Sequence, residues 1–204
     1  MAKIKICGIT EPREIEYANA FVPDYIGFVF APSKRQVSPQ AALLLKNSLR
    51  KEIQAVGVFV NAKIETIAAL CRNSVIDIVQ LHGEEDAAYL LALRQAVSNP
   101  VIRSVRVQTE ADIQTALLPD ADYMLFDTYK KGVPGGTGET FNWNVAAGFP
   151  RPFFLAGGLN PENLQEAIRA CNPYSVDVSS GAETEGKKDR GKMQRLIEIT
   201  RSVN

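Results

Sequence analysis

Cys7 stands where the first apolar alternation of the chain ends, in Ile4-Lys5-Ile6-Cys7-Gly8-Ile9-Thr10. A thiol at a strand exit, beside a glycine and ahead of a helix, is either a catalytic group or one more small buried hydrophobe. In repeating strand–helix proteins the strand exits are where chemistry gathers. The residues at the other exits are Ser33-Lys34-Arg35, Gln80-Leu81-His82-Gly83, Arg106, Asp127, Gly157-Gly158 and Asp177-Val178-Ser179-Ser180-Gly181. Asp127 closes the apolar stretch Tyr123-Met124-Leu125-Phe126, a place that suits a proton donor, a helix cap or a structural partner for Arg35 or Arg106. Arg35 carries a fork that matches a carboxylate, or is a surface arginine in a loop. His82 lines a pocket or serves structure.

Two glycine turns carry the clearest physical signal. Ala156-Gly157-Gly158-Leu159 and Ser179-Ser180-Gly181 are small, flexible segments opening toward helices. Their backbone N–H groups and a helix N-terminus suit a phosphate dianion. In strand–helix barrels the loops after strands seven and eight are the usual phosphate grip, which points to a phosphorylated small-molecule substrate.

The elements that must position these groups follow from hydrophobic period. Short apolar runs fall at 4–7, 25–30, 53–60, 76–81, 101–107, 123–127, 153–156 and 175–178. Most are apolar on both faces, as in parallel strands covered from both sides. Between them lie helical stripes: Ile64, Ile67, Ala68 and Cys71; Leu164, Ala167, Ile168 and Cys171; Met193, Leu196, Ile197 and Thr200. Cys71 and Cys171 fall on these stripes and are read as packing residues. Ser38-Pro39 and Asn160-Pro161 predict helix starts, and Thr109 with Asp112 predicts a capping box. Eight strands alternating with about eight helices fit a closed (β/α)8 TIM barrel better than an open doubly wound sheet. With no linker or composition break, residues 1–204 read as one barrel domain. The glycine-rich stretch 128–142, which holds Gly132, Gly135, Gly136 and Gly138, reads as a mobile lid.

Composition excludes several classes. Lys+Arg and Asp+Glu both number 23, so no net charge draws the chain to nucleic acid or an anionic membrane. A single histidine argues against a His-rich metal site, and no metal is expected. Three scattered cysteines with no CxxC pair suggest reduced thiols. Met1-Ala2-Lys3 runs straight into a strand without a signal-peptide core, and no apolar run approaches a membrane span. The expectation is a soluble cytoplasmic protein, monomeric or homodimeric.

Taken in order, these motifs resemble the phosphoribosylanthranilate isomerase family. The resemblance rests on Lys5-Ile6-Cys7-Gly8-Ile9-Thr10, Gly27-Phe28-Val29-Phe30 with Ser33-Lys34-Arg35, and Val56-Gly57-Val58-Phe59-Val60-Asn61. It continues through Val79-Gln80-Leu81-His82-Gly83, Phe126-Asp127, Gly135-Gly136-Thr137-Gly138, Leu155-Ala156-Gly157-Gly158-Leu159 and Asp177-Val178-Ser179-Ser180-Gly181. It spans essentially the whole chain, and the joint pattern is specific although no single motif is.

The resemblance implies a (β/α)8 barrel and an Amadori rearrangement of N-(5-phosphoribosyl)anthranilate without cofactor or metal. It assigns Cys7 as general base and Asp127 as general acid. Arg35 would hold the anthranilate carboxylate, and Gly157, Gly158, Ser180 and Gly181 the phosphate. Gln80, His82, Arg106, Gly136 and Asp177 would complete the substrate site, with Gly136-Thr137-Gly138 in a closing lid. A modest lowering of the Cys7 thiol at an electropositive barrel mouth is expected. Asn142 where the family often has aspartate, Glu185 where proline is common, and Ala182 in place of a frequent valine depart from the pattern, none at the acid or base.

Three rivals remain on this reading. A ribulose-phosphate epimerase would want metal-binding histidines. The barrel that isomerises the aminoimidazole carboxamide ribotide would use two acids, which Cys7 argues against. A barrel that binds a phosphorylated ligand without turnover would not need both Cys7 and Asp127.

Overall fold

A computed structural model describes residues 1–115, 121–128 and 142–203. The expected lid, Gly136 included, therefore lies outside the described residues but for its two ends. Eight parallel strands close into a barrel in chain order: β1 (Lys3–Cys7), β2 (Tyr25–Val29), β3 (Gln54–Phe59), β4 (Ile78–Leu81), β5 (Val101–Val107), β6 (Tyr123–Thr128), β7 (Phe153–Leu155) and β8 (Ser175–Val178). This is the expected (β/α)8 barrel, with several strands a residue or two shorter than the apolar runs.

Because strand side chains alternate in direction, each strand supplies two cores. Ile4, Ile6, Ile26, Phe28, Val79, Leu81, Phe126, Val176 and Val178 point outward and pack in the layer beneath the helices. Tyr25, Val56, Ile78, Ile102, Leu125, Phe154 and Ala156 fill the interior as a separate cluster. Lys5 and Cys7 share the inward parity of β1, and Asp177 that of β8, where it pairs in register with Lys5.

The helices are α1 (Pro12–Phe21), α2 (Pro39–Asn47), α3 (Ile64–Arg72), α4 (Ala87–Ala96), α5 (Glu110–Thr115), α6 (Leu164–Cys171) and α7 (Arg190–Ser202). Ser38 caps α2 as expected, accepting from Ala41 N at 3.1 Å. Asp112 reaches back to Thr109 N at 2.8 Å, the returning half of the predicted capping box. Asn160 differs from expectation. Its Oδ1 accepts from Glu162 N and Asn163 N, which makes 160–163 a turn and delays α6 to Leu164. After β6 the described residues hold a 3-10 turn, Trp143–Ala146, where an eighth α-helix was expected. No helix among the described residues is long and apolar enough to cross a membrane.

The end of the barrel where the strands start is tied by a repeated device. Asp24 accepts from Ile4 N at 3.0 Å, Asp77 from Ala55 N at 2.7 Å and Asp122 from Val101 N at 2.7 Å. Each aspartate precedes an even-numbered strand and satisfies a backbone N–H at the start of the odd strand before it. Conserved chemistry in barrels gathers at the opposite end, so these contacts serve stability. Asp77→Ala is expected to lower unfolding stability by about 1–3 kcal/mol, the cost of an unsatisfied buried N–H. Turnover should be unchanged; chemical denaturation followed by circular dichroism, with an activity measurement alongside, checks both.

Candidate active site

The strand exits surround one cavity, lined by Cys7, Ser33, Arg35, Gln80, His82, Asp127, Gly157, Gly158, Asp177 and Ser180 among others. Most of the residues expected at the site are thus brought together. Arg106 is not among the lining residues; it stands in register with Asp127 but is exposed at the rim. Gly181 does not line the cavity either. A Cβ there would lie 1.9 Å from Leu159 O, so its glycine lets the loops after β7 and β8 touch.

Cys7 owes its place to two glycines. A side chain at Gly27, its register partner on β2, would put a Cβ 2.7 Å from Cys7 Sγ and 3.2 Å from Lys5 Nζ. Gly8 adopts φ +85°, and a Cβ there would meet Arg35 Cδ at 2.4 Å. These gaps admit the thiol, the ammonium and the arginine stem into one small volume. Beneath the thiol, the fully buried Lys5 Nζ is 3.0 Å from each Asp177 oxygen. Asp177 is therefore engaged by Lys5 at the floor of the cavity.

The thiol differs from expectation. Burial pushes Cys7 above its ordinary value; the Lys5 ammonium opposes this and the Asp177 carboxylate adds to it. The expected lowering assumed a solvated, electropositive mouth. Cys7 is instead 9% exposed, so desolvation of the thiolate outweighs the nearby cation.

Asp127 is held from two sides. Thr128 N donates to its Oδ1 at 2.8 Å, and His82 Nε2 lies 3.4 Å from its Oδ2. The other ring nitrogen, Nδ1, meets Ser104 Oγ at 2.8 Å and Gln80 Nε2 at 3.2 Å. Ser104 and Gln80 thus fix the ring with Nε2 facing Asp127. Gln80 Oε1 is buried and finds no hydrogen-bond partner among the described residues.

Arg35 is not free-standing. Glu183 takes its Nε and Nη2 at 2.7 and 2.8 Å, a bidentate pair. Glu183 belongs to the short hairpin β9 (Glu183–Thr184) and β10 (Lys187–Lys188), and also receives the buried Lys188 at 2.5 Å. Glu14 ties this hairpin to the loop after β1, accepting from Thr10 N at 2.6 Å and from Lys188 N at 3.0 Å. The hairpin turn puts Glu185 at φ +52°, which a proline ring cannot adopt. Lys5, Gly27, Ser104, Glu183 and Lys188 were not singled out from sequence. Lys5 had a usable signal: it lies two residues before Cys7, on the same inward face of β1.

At the turn after β7, Gly157 and Gly158 both have positive φ, +89° and +65°. The amides of Asn160 and Asn163 hold Gly158 O at 3.3 and 3.0 Å. Ser180 opens a one-turn 3-10 helix directly after β8. The turn after β7 and this helix start both meet the cavity, whereas α6 begins farther on.

A family profile described as N-(5'phosphoribosyl)anthranilate (PRA) isomerase matches residues 4–199. The chain belongs to the phosphoribosylanthranilate isomerase family. It is 46% identical over 203 residues to an N-(5'-phosphoribosyl)anthranilate isomerase from Endomicrobium trichonymphae, covering 100% of both chains. Its fold matches the crystal structure of phosphoribosyl anthranilate isomerase from Thermotoga maritima with a TM-score of 0.88 at 36% identity, over 98% of this chain and 99% of that one. A crystal structure of phosphoribosyl anthranilate isomerase in complex with reduced 1-(o-carboxyphenylamino)-1-deoxyribulose 5-phosphate matches with a TM-score of 0.86 at 34% identity, over 98% and 99% of the two chains. The family assignment removes the epimerase and ribotide-isomerase readings.

The Glu183 cluster predicts a pH response. Burial alone would raise this carboxyl, but Arg35 and Lys188 outweigh it and hold it below the ordinary 4.5. Its contribution to stability is therefore present above about pH 4.5 and is lost as pH falls through the lower folded-state value. Glu183→Gln leaves the buried Lys188 without its counter-ion and is expected to cost about 3–5 kcal/mol at pH 7. Urea unfolding midpoints of both proteins from pH 3 to 7 check this: the difference should shrink toward the acid end.

Proposed function

We propose that Cys7 and Asp127 are the general base and general acid by which this chain performs the reaction of its family. The chain is an isomerase of tryptophan biosynthesis, acting on N-(5-phosphoribosyl)anthranilate. One observation carries the division of labour: the thiol and the carboxyl line the same cavity, together with the glycine turns and Arg35. Asp127 protonates the ribose ring oxygen, and the ring opens to a cationic Schiff base. That cation acidifies the neighbouring C2–H, which the Cys7 thiolate removes to give an enolamine. Tautomerisation yields the 1-deoxyribulose 5-phosphate product.

The surrounding groups have matching tasks in this scheme. His82 keeps the Asp127 carboxyl oriented through Nε2, and Ser104 and Gln80 fix the ring. The backbone of Gly157, Gly158 and Ser180 receives the phosphate. Glu183 occupies one edge of the Arg35 guanidinium, so the anthranilate carboxylate meets its remaining N–H groups. Residues 1–204 act as one catalytic unit, and a phosphorylated substrate with three free cysteines fits a reducing, cytoplasmic setting.

Cys7→Ala and Asp127→Asn should each lower kcat by at least about 100-fold, the lower range for losing a positioned acid or base. The loss of anthranilate-ester fluorescence, with substrate generated in place, measures turnover. Far-UV circular dichroism shows whether the variants stay folded. A folded Cys7→Ala protein with near-normal turnover would remove the thiol from the mechanism, and wild-type protein without turnover would favour binding alone.

A further inference from the structure

The reading of Cys7 as base leaves one difficulty. A thiol this deeply placed resists ionisation, yet only the thiolate removes a proton. Inside the barrel, the group that answers this is Lys5. It is completely buried, an unusual state for a lysine, and lies on the same face of β1 as Cys7. Both side chains converge on the space left by Gly27, where a Cβ would lie 2.7 Å from Cys7 Sγ and 3.2 Å from Lys5 Nζ, and Asp177 anchors that ammonium. We propose that Lys5 is a positioning residue for the reaction: its ammonium, anchored by Asp177, pairs with the Cys7 thiolate once the thiol proton has left for the open cavity.

The charged groups acting on Cys7 are Lys5 on its own strand, Asp177 on β8, Lys188 on β10 and Arg35 in the loop after β2. His82 and Asp127 line the same cavity. The two other cations are committed elsewhere, because Arg35 and Lys188 both hold Glu183. Their states differ as well. Burial draws both lysines toward neutrality, but Asp177 and Cys7 reverse this for Lys5, whereas burial prevails for Lys188. Lys5 is therefore the cation that Glu183 does not engage and that stands beside the sulfur. Asp177 has a double effect: it holds the ammonium in place and limits how far that ammonium favours the thiolate.

This proposal rests on Cys7 being the base, and its test reads the thiol separately from turnover. The probe is iodoacetamide, with the rate of Cys7 alkylation followed from pH 6 to 10 by peptide mass spectrometry, which separates Cys7 from Cys71 and Cys171. In Lys5→Met the Cys7 rate should fall about tenfold or more at each pH below the midpoint, the equivalent of one pK unit. The pH profile of kcat should move upward by the same interval, with KM little changed. Lys5→Gln, which keeps a hydrogen bond to Asp177 without the charge, should slow Cys7 alkylation in the same way. This second variant decides the matter if Lys5→Met does not fold. A folded Lys5→Met protein with an unchanged alkylation profile overturns the proposal, as does an unchanged profile in folded Lys5→Gln. Wild-type protein that alkylates as expected but does not turn over would instead overturn the functional reading and leave the effect of Lys5 on the thiol standing.

Discussion

Where β8 meets β1, the barrel closes with Lys5 opposite Asp177, both side chains turned inward. The rest of the site depends on this closure. A one-residue slip of β1 would send Lys5 and Cys7 out among the helices and bring Ile4 and Ile6 inside. The outward-facing isoleucines and valines bury completely under the helices and so hold the register. The ion pair reinforces it from within, since either partner alone would be an uncompensated buried charge.

Such a pair is weak evidence for stability in itself, because desolvating two charges offsets most of their attraction. Its placement argues for chemistry. The lower interior is filled by Tyr25, Leu125, Phe154 and their neighbours, as in any packed barrel core. Above that layer the inward positions become Cys7, Gln80, Asp127 and Asp177, a polar tier open to the cavity. One strand thus carries its packing and its chemistry on a single face, separated only by height. The aspartates that tie the strand starts lie at the far end, which lets stability and catalysis vary independently.

A second layer of control comes from outside the barrel. The β9–β10 hairpin contributes no strand to the closed sheet, yet its Glu183 sets the orientation of Arg35 and its Lys188 N is held by Glu14 of α1. Through Glu14 the hairpin is joined to Thr10, three residues beyond Cys7. The segments after β1, β2 and β8 are thus linked by charge-assisted bonds. Arg35 and the thiol sit in one ordered cluster, not on separate loops.

Hydrophobic period alone was enough to count the strands and choose the barrel, because burial on both faces of a parallel strand leaves a continuous apolar run. Motif order was enough to identify the family and to point to Cys7, Asp127 and the glycine turns. Helix starts governed by local capping were legible at Ser38 and Thr109, where the cap acts within three residues. At Asn160 a competing turn prevailed. The ionisation of Cys7, the clamp of Glu183 on Arg35, the Ser104–His82–Asp127 relay and the exposure of Arg106 were decided only in three dimensions. Each depends on partners brought from distant strands, and desolvation depends on what encloses a group rather than on its neighbours in the chain. The sequence by itself determined which residues reach the top of the barrel; the tertiary structure decided which of them are buried, paired and charged there.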